Sequence, residues 1–226
     1  MIPLSQYYSD SLSAERLPRC YEIAPPRVAR YLHAEMEHVL AKIKPSDAVL
    51  ELGCGYGRVL GGLLGKTRKV VGIDTSKASL DQAKKDLRDH SNMDLAQMNA
   101  INLGFIDGCF DVVICIQNGI SAFKVNQEKL LIESLRVTRD GGTCLFSSYS
   151  DSFWEHRLEW FHLQALEGLI GAIDLEKTGN GCIVCKDGFQ ATTFRRKDFS
   201  ELVSRIGVTA TIAEVDESSI FCEIRV

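Results

Sequence analysis

Apolar and polar residues follow each other in blocks that predict strands and helices in alternation. Short runs of apolar, β-branched residues predict buried strands, and apolar residues three or four positions apart predict the helices between them. The strands are expected at 48–52, 69–73, 94–98, 110–116 and 142–148, and the helices at 58–64, 77–89 and 127–137. This alternation predicts a parallel sheet covered by helices on both faces.

The ends of the chain depart from this alternation. Residues 1–44 predict a helical cap, whose main helix follows Pro25-Pro26 and ends before Pro45. Residues 151–194 predict an insert with an aromatic helix over 151–170. A hairpin with arms at 173–177 and 182–186 would follow, turning at Asn180-Gly181. Residues 195–226 predict a helix and a terminal β-hairpin.

Together these elements predict one α/β domain over 1–226. Its doubly wound, mostly parallel seven-stranded sheet would carry an antiparallel terminal strand. The ligand-binding core is expected at 46–150, and the segments 1–44 and 151–194 are expected to form a lid over it. Ligands bind beyond the carboxyl ends of the strands in sheets of this kind.

Composition and charge narrow the function. The 226 residues are 45% hydrophobic and carry a net charge of −4, without the basic excess or stripe that nucleic-acid binders usually show. No apolar run reaches membrane-spanning length, and the first residues do not resemble a signal peptide. We therefore expect a cytoplasmic protein that binds neither nucleic acid nor membrane.

The eight cysteines are expected to be reduced thiols, and most of them lie in apolar runs. Cys182 and Cys185 form the only close pair. If they lie on a strand, residues three positions apart point to opposite faces and cannot easily bind one metal ion. We therefore expect no metal site.

The clearest candidate site is a glycine-rich turn between the first strand and its helix. The segment Glu51-Leu52-Gly53-Cys54-Gly55-Tyr56-Gly57-Arg58 contains three alternating glycines, more than an ordinary turn requires. A dinucleotide-binding turn has the spacing G-x-G-x-x-G, which would place glycine where Arg58 stands. This spacing disfavours one alternative function, an NAD-dependent oxidoreductase.

A second candidate is Asp74, which follows the second strand about twenty residues after the turn. Such an acid accepts hydrogen bonds from ribose hydroxyls, although Asp74 could instead cap the next helix. Together, the glycine spacing and this acid resemble the class I, Rossmann-like S-adenosylmethionine-dependent methyltransferases. The resemblance covers roughly residues 46–150 and continues in Gln97-Met98-Asn99-Ala100, in the strand at 110–115 and in Asp140-Gly141-Gly142.

The resemblance implies S-adenosylmethionine as the cofactor. Glu51 would lie near the ammonium group of its methionine tail, and Asp74 would bind its ribose. Asn99, where the family usually has aspartate, would accept a hydrogen bond from the adenine amino group. The implied cofactor contacts are Glu51, Gly53, Cys54, Gly55, Gly57, Arg58, Asp74, Thr75, Asn99, Ala100 and Gln117.

The acceptor of the methyl group is expected to be a small molecule. The family places acceptor-facing groups after its fourth strand. Residues 116–123 lack the Asn/Asp-Pro-Pro-aromatic signature of enzymes that methylate base amino groups. The lid supplies further polar and aromatic side chains, namely Tyr7, Tyr8, Tyr21, Trp154, His156, Arg157, Trp160 and His162.

No catalytic residue is assigned from the sequence. Asn118, Tyr21 and His156 are candidates, but loop or packing roles explain each of them as well. A non-catalytic S-adenosylmethionine-binding protein is the second alternative function. The motifs specify the cofactor and leave open the acceptor and the oligomeric state.

Overall fold

The computed structural model describes residues 16–226, so Tyr7 and Tyr8 lie outside the described part. The helices are α1 (Arg16–Glu22), α2 (Pro26–Leu40), α3 (Arg58–Leu63), α4 (Lys77–Asp86), α5 (Gly119–Ala122), α6 (Gln127–Val137), α7 (Trp154–Leu166) and α8 (Arg196–Ile206). The strands are β1 (Ala48–Leu52), β2 (Lys69–Asp74), β3 (Met93–Gln97), β4 (Phe110–Cys115), β5 (Thr138–Tyr149), β6 (Cys182–Val184), β7 (Gln190–Thr192), β8 (Ala210–Val215) and β9 (Ser219–Arg225).

Seven strands form one sheet in the order β3-β2-β1-β4-β5-β9-β8. The first five strands in this order run parallel, and β9 runs antiparallel to both β5 and β8. This confirms the predicted mostly parallel seven-stranded sheet. Strand β5 begins earlier than predicted because Thr138 already pairs with Phe110. The ladder then skips the glycine turn at 139–142 before Thr143 pairs with Val112.

Alternating strand residues build a hydrophobic core on each face of the sheet. Leu50 and Val113 belong to the face that α6 and α8 cover. Val49 and Val112 belong to the other face, which packs against α2, α3 and α4. Because neighbouring residues of a strand point to opposite faces, burial on both sides explains the uninterrupted apolar runs in the sequence.

A third hydrophobic core joins the N-terminal helices to the segment after β5. It contains Tyr31 from α2 and Trp160 and Phe161 from α7. The Trp160 indole Nε1–H donates a hydrogen bond to the Cys20 carbonyl of α1 at 2.7 Å. We call this third core, with α1, α2 and α7, the lid.

The insert differs from its prediction in two places. A 3₁₀ turn (Asp151–Phe153) precedes α7, and the helix ends at Leu166, not at residue 170. Gly168 follows with φ +68°, and a glycine in this conformation ends helices because other residues resist it.

The predicted hairpin forms its turn, but its arms pair only at the end far from the turn, where Ile173 forms an antiparallel bridge with Cys185 and the Asp174 amide donates to the Val184 carbonyl at 2.8 Å. Asn180 and Gly181 have φ values of +49° and +79°, and Gly179 and Cys182 exchange backbone hydrogen bonds around them. The 173–177 run bends back on itself, because Lys177 and Thr178 both donate backbone hydrogen bonds to the Asp174 carbonyl. Strand β6 therefore pairs with β7.

Within residues 16–226, none of the helices combines the length and hydropathy that crossing a bilayer requires.

Candidate active site

A cavity of about 540 Å³ opens at the carboxyl ends of β1, β2 and β4, below the lid. This is the edge at which open α/β sheets bind ligands, and the volume lies in the usual range for small-molecule sites. All predicted cofactor contacts except Gly57 line it, namely Glu51, Gly53, Cys54, Gly55, Arg58, Asp74, Thr75, Asn99, Ala100 and Gln117.

The glycine-rich turn presents bare backbone to this cavity. Gly53 and Gly55 have φ values of +73° and +54°, which favour glycine. The amides of Gly53 and Cys54 both donate to the Ile73 carbonyl at 2.8 and 2.9 Å, which fixes the turn against β2. A Cβ atom on Gly53 would lie 2.4 Å from the Phe123 ring, so a side chain there would disrupt the cavity wall.

Gly57 is also required as glycine, but it packs on the side of the turn away from the cavity. It precedes α3 with φ +89°, and a Cβ atom there would lie 2.7 Å from Leu87, the residue after α4. Its absence from the cavity lining means that it shapes the turn from behind. Direct contact between Gly57 and the cofactor remains a prediction from the sequence alone.

Glu51 ends β1 as a buried carboxyl group at the cavity wall. Its Oε2 atom is buried and has no hydrogen-bond partner. Burial raises the pKa of Glu51 to about 8, against the opposing effect of the Arg58 charge. A buried carboxyl without a partner is costly unless a ligand supplies a donor or a positive charge.

Asp74 is held in place by the backbone of the turn. Its Oδ2 accepts a hydrogen bond from the Gly55 amide at 2.9 Å, and its Oδ1 accepts one from the Ser76 amide at 2.8 Å. The cap of α4 is Ser76, whose hydroxyl accepts from the Ser79 amide. Asp74 therefore does not cap the helix, and its carboxylate remains at the cavity edge beside Thr75.

Asn99 and Ala100 line the far wall of the cavity next to Met98. The Asn99 side chain is largely exposed, and its Oδ1 accepts a hydrogen bond from the Ile101 amide at 3.1 Å. The Asn99 side-chain amide therefore also stabilises the turn in which it lies. Met98 contributes a flexible apolar side chain to the cavity wall, and the sequence analysis did not name it as a cofactor contact.

Two neighbouring residues after β4 adopt left-handed backbone conformations. Gln117 and Asn118 have φ values of +54° and +65°, which is rare for two successive non-glycine residues and typical of functional sites. The Ser147 hydroxyl accepts a hydrogen bond from the Gln117 amide at 2.8 Å. Gln117 turns its side chain to the cavity, where Oε1 accepts from the Tyr21 hydroxyl at 3.1 Å.

Of the three catalytic candidates, only Tyr21 lines the cavity. The Asn118 side chain is buried and occupied, because Oδ1 accepts from the Ser148 hydroxyl and Nδ2 donates to the Thr192 carbonyl. His156 is exposed and contacts the Phe153 ring. In this structure, Asn118 joins the β4 loop to β5 and β7, and His156 lies away from the cavity.

The lid forms the second half of the cavity with aromatic side chains. Sequence reasoning selected Tyr21 and Trp160, but it missed Tyr31, Tyr149, Phe189 and Gln164. Tyr149 could have been found, because it ends a strand at the edge where ligands bind.

A buried acid also escaped the sequence analysis. Glu35 is fully buried, and its Oε1 accepts a hydrogen bond from the Ser147 hydroxyl at 2.7 Å. Burial raises the pKa of Glu35 to about 7. Helical spacing could have identified it, because Val28, Leu32, Glu35 and Val39 follow one another at intervals of four, three and four along α2.

The two cysteines of the close pair differ in their surroundings. Cys185 is buried in the lid core, whereas the half-buried Cys182 sulfur lies 3.5 Å from the Thr192 hydroxyl. Within residues 16–226, no three His, Cys, Asp or Glu side chains are grouped as a metal site.

Comparison with known proteins finds similar sequences for the core of the chain. Residues 49–142 match the methyltransferase domain family. The demethylmenaquinone methyltransferase of Bacillus licheniformis is 27% identical over 140 residues, which are 59% of this chain and 59% of that protein. Human arsenite methyltransferase is 31% identical over 113 residues, which are 44% of this chain and 30% of that protein.

The similarity of the fold extends further than that of the sequence. The DhpI–SAM–HEP complex has a TM-score of 0.65 and 19% identity, and the alignment covers 98% of this chain and 96% of that one. The structural match therefore includes the lid, whereas the matches to the curated relatives span only 30–59% of the length of those proteins.

Proposed function

We propose that this chain is an S-adenosylmethionine-dependent methyltransferase that transfers a methyl group to a small-molecule acceptor, because its residues 49–142 match a methyltransferase domain family. The observation that carries the proposal is the position of Glu51, the Gly53–Gly55 turn and Asp74 around one cavity at the strand ends.

The half of the cavity that the strand ends form, which we call the cofactor half, fits S-adenosylmethionine in charge and shape. The unpartnered Glu51 Oε2 suits the ammonium group of the methionine tail. The Asp74 oxygens, already oriented by two backbone amides, retain capacity to accept from ribose hydroxyls. Met98, Asn99 and Ala100 form the wall for the adenine ring. These assignments are proposals that rest on the geometry of the cavity.

When bound, S-adenosylmethionine supplies a methyl group on a positively charged sulfur atom that is open to attack by a lone pair. The chain itself would orient the acceptor and exclude water. Tyr21 from α1 and Trp160 from α7 close the cavity from above, and enclosure of this kind positions reacting atoms and keeps solvent out.

The size and charge of the site favour a small acceptor. Helices α1 and α7 cover the strand ends, so an acceptor must fit within the cavity beside the cofactor. The net charge of −4 also argues against a nucleic-acid substrate. Both curated relatives are named for small-molecule methylation, and we extend that class to this chain as part of the proposal.

The lid half of the cavity favours an enzyme over a protein that only binds the cofactor. The described lining continues past the cofactor contacts to Tyr31, Tyr149 and Phe189. A site for the cofactor alone would not need this additional aromatic space.

Calorimetry with S-adenosylhomocysteine tests the cofactor assignment. We expect binding in the purified protein, at least tenfold weaker binding in Asp74→Ala, and unchanged binding in Asp81→Ala, a control that removes an exposed acid of α4. A metabolite screen for S-adenosylhomocysteine release then tests the enzyme. Binding of NAD in place of S-adenosylhomocysteine would overturn the proposal.

A further inference from the structure

We propose that the acceptor is a small planar aromatic compound with an acidic hydroxyl group, bound as its oxyanion. This inference rests on the proposed methyltransferase function and specifies its substrate class. Its evidence is the lid half of the cavity, which we call the acceptor compartment: Tyr21, Tyr31, Tyr149, Trp160, Phe161 and Phe189.

The shape of the acceptor compartment favours a flat ring. The Tyr21 and Trp160 rings lie 5.8 Å apart at 52°, and the Tyr31 and Tyr149 rings lie 5.6 Å apart at 44°. Aromatic rings stabilise one another at such distances in tilted or edge-to-face arrangements. A planar ligand can add to this cluster through the same contacts, whereas a flexible polar ligand would lose its hydration without replacement.

The charges around the acceptor compartment argue against an amine. The Arg58 guanidinium lies 4.8 Å from the centre of the Tyr21 ring, and the Arg157 guanidinium lies 4.3 Å from that of Tyr149. Aromatic rings bind cations through their faces, but two of these rings already contact an arginine of the chain. A cationic acceptor would be repelled by both guanidinium groups and by the sulfonium of the cofactor.

Arg58 instead favours an anion. Among the described residues that line the cavity, it is the only basic one. Its charge acts on Glu51 on one side, and its guanidinium lies against the Tyr21 ring of the lid on the other, so it lies where the two halves of the cavity meet. The Arg58 Nη2 atom is buried and has no hydrogen-bond partner. A buried charged donor without an acceptor is unfavourable, so Nη2 offers a site for an oxyanion.

A matched set of ring compounds tests this inference on protein saturated with S-adenosylhomocysteine. The probes are 4-nitrophenol, the neutral 4-nitroanisole and the cationic 4-nitrobenzylamine, with affinities measured by calorimetry at several pH values. We expect the phenolate to bind at least tenfold more tightly than either other probe, with an affinity that rises as the phenol ionises. We expect Arg58→Met to abolish this preference and Arg58→Lys to restore part of it.

Several results would overturn the inference. Equal or tighter binding of the amine excludes the oxyanion preference, and so does failure of all three rings to bind while S-adenosylhomocysteine binds. If Arg58→Met loses affinity for S-adenosylhomocysteine and keeps the phenolate preference, Arg58 serves the cofactor carboxylate instead. In these cases the proposed function still stands. Failure of wild-type protein to bind S-adenosylhomocysteine overturns the proposed function, and the inference with it.

Discussion

The buried carboxyl of Glu51 predicts that cofactor binding releases a proton. Its pKa of about 8 means that about nine-tenths of the Glu51 side chains are protonated at pH 7. An ammonium group placed beside this carboxyl favours its ionised form. Binding of S-adenosylhomocysteine at pH 7 should therefore release nearly one proton. Calorimetry in buffers of different ionisation enthalpy measures this number directly.

The substitution Glu51→Gln makes the prediction quantitative. It removes a charged hydrogen bond, which contributes about 1.5–3 kcal/mol. Wild-type protein spends about 1.4 kcal/mol at pH 7 to ionise a group of pKa about 8. The affinity loss in Glu51→Gln should therefore be small at pH 6, up to about tenfold at pH 7, and largest at pH 8. No proton should be released from this site in the variant.

The same substitution should stabilise the protein without ligand. Folding raises the pKa of Glu51 from 4.5 to about 8. Below pH 4.5 the carboxyl group is protonated in both the folded and the unfolded protein, so the free energy of unfolding is highest there. That stability is lost as the pH rises through 8. Urea unfolding of Glu51→Gln should therefore match wild type near pH 4.5 and exceed it by up to about 4 kcal/mol at pH 8.

Glu35→Gln is the matched control, because Glu35 is also buried with a raised pKa but does not line the cavity. It should change the pH dependence of unfolding and leave proton release on ligand binding unchanged. Wild-type proton release in Glu51→Gln, or a pH-independent affinity in wild type, would refute the reasoning.

Three further predictions follow from single contacts. In calorimetry, Asp74→Asn should weaken S-adenosylhomocysteine binding as much as Asp74→Ala. Both carboxylate oxygens of Asp74 accept backbone N–H donors, so the side-chain NH2 group of asparagine would face one of these N–H groups, donor against donor. Near-wild-type affinity of Asp74→Asn would contradict this. In urea unfolding, Gly53→Ala should lower the stability more than Gly65→Ala does. Both glycines have positive φ, which costs alanine about 1–2 kcal/mol at either position, but of the two only a side chain at Gly53 would also clash with a neighbouring ring. Equal losses would exclude the clash. Arg157→Met should destabilise the lid by about 3 kcal/mol or more, because its buried guanidinium donates to three oxygens of β7 and the flanking residues and each hydrogen bond from a charged donor contributes about 1.5–3 kcal/mol. Hydrogen exchange at β6 and β7 should become faster; unchanged exchange would show that these bonds are dispensable.

The cofactor half could be predicted because its determinants are local in sequence. Strand β1 has the predicted bounds, and the glycine turn follows it directly. Asp74 needs only one further pairing, β1 with β2, to reach the turn. Each of these steps depends on residues within about twenty positions of one another.

The lid could not be predicted in the same way because its contacts join distant parts of the chain. The Tyr21 hydroxyl reaches Gln117 across 96 positions, and the Trp160 indole reaches Cys20 across 140. The hairpin arms illustrate a second reason. A turn sequence specifies its own backbone, but the partner of the following strand is decided by tertiary packing, which here joins β6 to β7.

The two halves of the cavity meet at Tyr21. Its hydroxyl donates to Gln117, which is held in a left-handed conformation at the end of β4. Its ring packs under the Arg58 guanidinium and against Trp160 of the lid. A change in lid packing can therefore reach the strand ends through one side chain, without a change in the sheet. By the same argument, substitutions in α1 and α7 can alter the acceptor compartment while Glu51 and Asp74 keep their positions, because backbone contacts within the sheet hold the glycine turn and Asp74 in place.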